Sequence, residues 1–233
     1  MRTIGLIGGM SWESTAITYQ LLNQMARDRL GSLHSAQLLL WSFDFAEIEA
    51  HQASGDWDAA TRAMVDAAQR LEAGGAACLM ICSNTMHRMA DEVQAATRIP
   101  LIHIADVTAA AIKNAGLKKP LLLATRYTME QDFYVGRLRD RHGLDVIVPD
   151  AAGRTVVHDI IYDELCQGVV RQESKQAYLG VIGHTRTADP DVDSVILGCT
   201  EVGMLIGQDD LDISVFDTTG LHAQAALEFA LDS

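Results

Sequence analysis

The sequence predicts an α/β protein of two similar lobes, each a mainly parallel sheet flanked by helices. Three observations carry this prediction. Short apolar runs rich in β-formers alternate with longer amphipathic stretches from end to end. The apolar runs are nearly continuous, as expected of strands covered on both faces in a parallel sheet. Finally, "LMICSNT" around Cys82 and "VILGCTE" around Cys199 look alike: each runs a strand into a cysteine and then into small polar residues, roughly half the chain apart.

Taken in order, "TIGLIGG" is the first strand and "STAITYQLLNQMARDRL" the helix after it. "AQLLLWSFDF" is the second strand, and "DWDAATRAMVDAAQRLEAGG" a helix stopped by Gly74 and Gly75. "ACLMICS", "LIHIAD", "PLLLAT", "LDVIVP", "SVILGC" and "ISVFDT" read as further strands, most followed by a helical segment. Gly116 ends one of these helices, and Pro100 and Pro120 lie next to new strands. Connectivity divides the chain into a first lobe, residues 1–98 completed by 209–233, and a second lobe, residues 99–208. Ligands of open parallel sheets bind at the carboxyl ends of the strands, so two such lobes facing each other would make a cleft with a cysteine on each side.

Composition narrows the function. At 233 residues, 48% apolar and 21% charged, the chain is long enough to bury a real core and is not of disordered type. A formal charge of −13 argues against nucleic acid and anionic membrane as partners, because both call for clustered Lys and Arg. No run approaches the ~20 apolar residues of a membrane span, and "MRTIGLIGGM" reads as a strand and glycine turn, not a secretion signal. A cytoplasmic protein is expected, with a small molecule or a second copy of itself as partner.

The four cysteines form no CxxC pair and no zinc-finger set, and no histidines stand at metal spacing, so no metal site is expected. Cys78 and Cys166 have apolar neighbours and read as core residues. At Cys82 and Cys199, taken singly, packing and chemistry are equally open. A thiol at a strand-to-helix turn points at backbone N–H groups, which can lower its pKa from ~8.5 into the range ~3.5–7.5 and make it a base or nucleophile. The matching settings of the two cysteines favour chemistry.

Other segments end strands in polar residues. "GLIGGMSWES" is neither GxGxxG nor a P-loop, and suits close approach of backbone to a small anion, with Ser14 or Thr15 capping the next helix. In "LLLATRYTMEQ", Thr128 and Gln131 fit a capping box, which leaves Thr125 without a structural role. Glu201 stands close enough to Cys199 in sequence to influence it, though sequence proximity alone assigns it nothing.

Together, "GGMSWEST", "CSNTMH", "TRYTMEQDFY" and "LGCTE" resemble the aspartate/glutamate racemase family within the Asp/Glu/hydantoin racemase superfamily. The similarity runs nearly end to end, through "HDIIYDEL" and "VFDTTGLHAQAA". The resemblance implies a cofactor-independent amino-acid racemase, an isomerase that acts on a small acidic amino acid in the cleft between its lobes, and a homodimer. It implies Cys82 and Cys199 as the catalytic acid/base pair, one thiolate removing the α-proton while the opposite thiol returns one. Two such groups of similar pKa on opposite faces are what this chemistry needs.

It further implies that Ser83, Asn84, Thr85, Thr125, Thr128 and Thr200 bind the two ends of the substrate. Met10 and Ser11 would line the pocket from the first loop, and Gln52 would reach it from a loop after the second strand. Preorganised donors and helix N-termini would meet the charge developing at Cα without an electron-sink cofactor. Two departures stand out: Ala124 where the family more often has glycine, and Val169 where many members carry a lysine after the glycine matching Gly168. Loss of that cation leaves the choice between aspartate and glutamate open. Related classes on this scaffold are hydantoin racemase, maleate isomerase, a decarboxylase needing only one of the cysteines, and a non-catalytic binder of small acidic metabolites.

Overall fold

The computed structural model describes residues 1–232. Two compact units divide the chain: one is Met1–His103 with the segment from His222 onward, the other Ile104–Leu221.

In the first unit, strand β1 (Ile4–Gly8) leads into helix α1 (Trp12–Leu30), and β2 (Leu38–Ser42) into helices α2 (Phe45–Ser54) and α3 (Trp57–Ala73). Strand β3 (Cys78–Ile81) follows, then a 3-10 turn at Thr85–Met89 and helix α4 (Ala90–Ala95). The sheet order is β2-β1-β3, all parallel, with Ile4 beside Leu38 on one side and Cys78 on the other. All five β1 residues are buried, which is why they form an unbroken apolar run. Ile7, Met64, Ala67, Leu79 and Ile81 pack on one sheet face. Ile4, Leu6, Leu22, Cys78 and Met80 pack on the other.

In the second unit, helix α5 (Ile104–Asn114) precedes strand β4 (Pro120–Leu123), followed by helices α6 (Arg126–Glu130), α7 (Asp132–His142) and α8 (Ala151–Asp163). A 3-10 turn at Leu165–Gln167 and helix α9 (Gln172–Ala188) lead to β5 (Ser194–Leu197), and a 3-10 turn at Val202–Met204 follows that strand. Strand β6 (Ser214–Asp217) and helix α10 (Thr218–Leu231) complete the described chain. The order is β4-β5-β6, again all parallel. Tyr134, Tyr178, Leu138 and Ile182 fill its core with the strand residues.

The two units repeat one design. "LIHIAD" and "LDVIVP", expected as strands, are reduced to single parallel bridges, Leu79 with Leu101 and Leu121 with Ile147. Counting these bridges, the order in the first unit is β2, β1, β3, Leu101, and in the second Ile147, β4, β5, β6. In chain order both sheets are wound second, first, third, fourth, so β1 corresponds to β4 and β3 to β5.

The unit boundaries differ from the connectivity reading. Strand β6, which that reading gave to the first lobe, pairs with β5 from Ser194 beside Ser214 to Leu197 beside Asp217. The central strand β5 needs a neighbour on each side to satisfy its backbone groups. Thr218 fixes the join by donating its hydroxyl to the Leu197 carbonyl at 2.7 Å. Only from His222 does the chain return, where Ala223, Ala226, Leu227 and Ala230 of α10 join the first unit's core.

Candidate active site

The carboxyl end of β1 turns through Gly8 and Gly9 into α1. A Cβ on Gly9 would lie 2.4 Å from the Phe43 carbonyl oxygen, and its φ of +84° suits only glycine. The Gly9 N–H donates to the Thr15 hydroxyl at 2.8 Å, and that hydroxyl donates to the Ser11 carbonyl at 2.9 Å. Ser11 itself, not Ser14 or Thr15, is the N-cap of α1, accepting from the Ser14 N–H at 3.4 Å. Met10 and Ser11 are thus buried in a tight loop whose shape Thr15 holds.

Beside it, Cys82 directly follows β3, and its N–H donates to the Ile7 carbonyl at 2.9 Å. Cys82, Ser83, Asn84 and Thr85 are all buried. The Ser83 hydroxyl accepts from the Met86 N–H at 3.4 Å, and the Ser83 carbonyl lies 2.7 Å from His87 Nδ1. His87 in turn packs edge-on against the rings of His103 and His222, with centroids 4.7 and 5.6 Å away. Gln52 is not on a loop: it is a buried residue of α2, and its Nε2 is 3.0 Å from Met86 Sδ. Its helix runs on to Gly55, a left-handed C-cap, so the polar stretch around it is the last turn of α2.

In the second unit the end of β4 presents Ala124 and Thr125. Here the sequence reading is reversed: Thr125 is the N-cap of α6 and accepts from the Thr128 N–H at 3.4 Å. Thr128 is fully buried, with its hydroxyl 3.2 Å from that of Thr125. Gln131 is extended backbone between α6 and α7, so it closes no capping box. Ala124 also fits the local packing, because a Cβ on neighbouring Gly198 would lie 3.1 Å from its methyl group.

At the end of β5, Cys199, Thr200 and Glu201 are buried together. The Cys199 thiol is 2.9 Å from Glu201 Oε2, and the Thr200 hydroxyl donates to the same oxygen at 2.7 Å. Cys166, expected to be a core residue, lies 3.9 Å from the other carboxylate oxygen, Oε1. No local pattern reveals Cys166, since its partner stands 35 residues away. The buried Glu201 had a visible signal, a carboxylate two residues past the thiol. Asp217, at the end of β6, was also missed; it caps α10 through the N–H groups of Thr219 and Gly220 at 3.0 and 3.3 Å, and burial raises its pKa.

The thiols are not the low-pKa groups their positions suggested. Burial pushes Cys82 up to about 12, opposed only by a hydrogen bond with Thr18. Burial, then the charge of Glu201, drives Cys199 well above its ordinary value. Each cysteine is followed by a 3-10 turn rather than by the N-terminus of an α-helix, so little aligned dipole is available to offset desolvation. Both are held as neutral thiols at rest.

Each unit therefore ends its third strand in a buried thiol flanked by hydroxyls, and its first strand in a hydroxyl N-cap. This defines a class: an α/β protein with duplicated thiol sites suited to moving protons. The chain matches the model of the Asp/Glu/hydantoin racemase family over residues 7–226, and it belongs to that family, which makes it an isomerase.

Among solved structures, a Yersinia pestis protein provisionally named an Asp/Glu racemase is 49% identical, with a TM-score of 0.91 and 100% of both chains covered. An aspartate racemase homologue from Pyrococcus horikoshii is 32% identical, with a TM-score of 0.86 and 100% of both chains covered. The broad specificity amino-acid racemase RacX of Bacillus subtilis (strain 168) is 24% identical over 174 residues, which is 74% of this chain and 73% of RacX. Among the described residues no helix is long and apolar enough to cross a membrane, and no group of three or more metal-ligating side chains is placed to hold an ion.

Proposed function

We propose that the protein interconverts the enantiomers of aspartate or glutamate without a cofactor, with Cys82 and Cys199 alternating as base and acid at Cα. The observation that carries this reading is the duplication itself: two units wound in the same strand order, each placing a buried thiol after its third strand. Family membership and the names of the similar proteins support racemisation as the reaction.

One thiol, once ionised, removes the α-proton; the other, still protonated, returns one to the opposite face. The thiol that receives the proton becomes the acid for the reverse direction, so no net proton is gained or lost. Ser83, Asn84, Thr85, Thr125 and Thr200 supply donors to the two carboxylates and to the charge that develops at Cα. Met10 and Ser11 line the pocket from the β1 turn. Gln52 and Thr128 act by holding Met86 and Thr125 in place. Glu201, bonded to the Cys199 thiol, orients it and sets the basicity of the thiolate.

Incubation in deuterated water tests the reaction directly, by exchange of the α-proton of aspartate and glutamate for deuterium with no cofactor added. Exchange with at least one of the two is expected. Cys82→Ala and Cys199→Ala are each expected to abolish racemisation while circular dichroism stays unchanged. A failure of exchange with both amino acids removes them as substrates; full racemisation by either variant removes the two-thiol mechanism.

A further inference from the structure

The least expected grouping in the molecule is the buried carboxylate of Glu201 shared by two thiols. Its two oxygens are divided. Oε2 takes the Cys199 thiol at 2.9 Å and the Thr200 hydroxyl at 2.7 Å, while Oε1 faces the Cys166 thiol at 3.9 Å. Glu201 is 1% exposed, so the direction in which its carboxylate points is set by protein groups rather than by water.

Cys166 is well placed to set that direction. It sits on the 3-10 turn Leu165–Gln167, closed by Gly168 in the left-handed region at φ 70° and anchored in the core by Leu165. Just before this turn, Glu164 accepts from the Ser174 hydroxyl at 2.5 Å, which ties the turn to α9. The turn is thereby fixed on both sides, and its thiol is held toward Oε1.

We propose that Cys166 is a positioning residue for Cys199, acting through Glu201: its S–H donates to Oε1 and keeps Oε2 against the Cys199 thiol. Without the Cys166 donor, Oε2 is no longer held against the Cys199 proton, and the Cys199 thiolate becomes easier to form. The proposal deepens the two-thiol reading above, but its central measurement does not depend on racemisation.

That measurement is the rate at which iodoacetamide alkylates Cys199 near neutral and mildly alkaline pH, followed peptide by peptide by mass spectrometry. The rate tracks the thiolate fraction. Loss of one hydrogen bond to the carboxylate predicts that Cys166→Ala alkylates about fivefold faster than the parent. In a Glu201→Gln background, Cys166→Ala should have no further effect. If Glu201→Gln does not fold by circular dichroism, Glu201→Asp, which withdraws both oxygens by one methylene, takes its place.

Equal rates in Cys166→Ala and the parent would overturn the proposal. So would the same acceleration when Glu201 has been replaced. The two readings separate cleanly. If racemisation is present, Cys166→Ala lowers kcat and leaves KM unchanged. If no substrate is racemised while the alkylation pattern holds, the proposed function fails and the role of Cys166 stands.

Discussion

Acidification should weaken the first unit through one imidazole, His222. It is 2% exposed on α10, with its Nε2 2.6 Å from the Ile102 carbonyl and its ring against that of His87. Burial drives its pKa from 6.5 down to about 4, against the opposing effect of the Ile102 carbonyl. The folded chain therefore keeps His222 neutral over a range in which the unfolded chain would protonate it. Stability from this group is complete above about pH 6.5, falls between there and about pH 4, and levels off below. The gap corresponds to about 3 kcal/mol. All three tryptophans, Trp12, Trp41 and Trp57, lie in the first unit, so their fluorescence during urea unfolding reports on the part that holds His222. His222→Gln keeps an N–H for the Ile102 carbonyl but cannot take a proton. Between neutral pH and about pH 4 the parent should lose about 3 kcal/mol more than this variant. Equal losses in the two proteins would refute the reasoning, because the acid sensitivity would then come from other groups.

Two further predictions concern the reaction and the β1 turn. Because burial holds both Cys82 and Cys199 as thiols, racemisation should rise about tenfold per pH unit through the neutral and mildly alkaline range, as for a base that must first lose one proton; a rate that stays flat there, measured by deuterium exchange, would remove the buried thiols as bases. Thr15→Val keeps the side-chain shape but leaves the buried Gly9 N–H without its 2.8 Å acceptor, which predicts a loss of ~1–3 kcal/mol in urea unfolding; a variant as stable as the parent would show that the loop does not depend on this bond.

Legibility in the sequence followed the range of the physics. The strands were readable because a buried parallel strand writes its burial into consecutive residues, as the five of β1 do. The two cysteines were readable because the same strand-to-turn pattern occurs twice. Features set by a single residue of register were read less well. Ser11 rather than Ser14 caps α1, and Thr125 rather than Thr128 opens α6, because each choice depends on where the backbone first turns helical and several hydroxyls were available. "LIHIAD" has the apolar content of a strand, yet α5 begins at Ile104 and leaves only Leu101 to bridge β3. Gln52 looked like a loop residue because its helix ends three positions later, at Gly55.

What was not readable is what depends on distant partners or on the depth of burial. A thiol after a strand was expected to meet a helix N-terminus and ionise easily; the short 3-10 turns and the closed surroundings push both thiols the other way. That change bears on the proposed mechanism. Two easily ionised cysteines would both be thiolates at neutral pH and leave no acid to return the proton, whereas two buried thiols begin with the acid in place and lack only the base. The carboxylate of Glu201, set against Cys199 but with no counterpart two residues after Cys82, where Asn84 stands, makes the two thiols inequivalent. The unit that repeats its strand order does not repeat its electrostatics, so under the proposed mechanism the two directions of proton transfer start from different thiols with different costs.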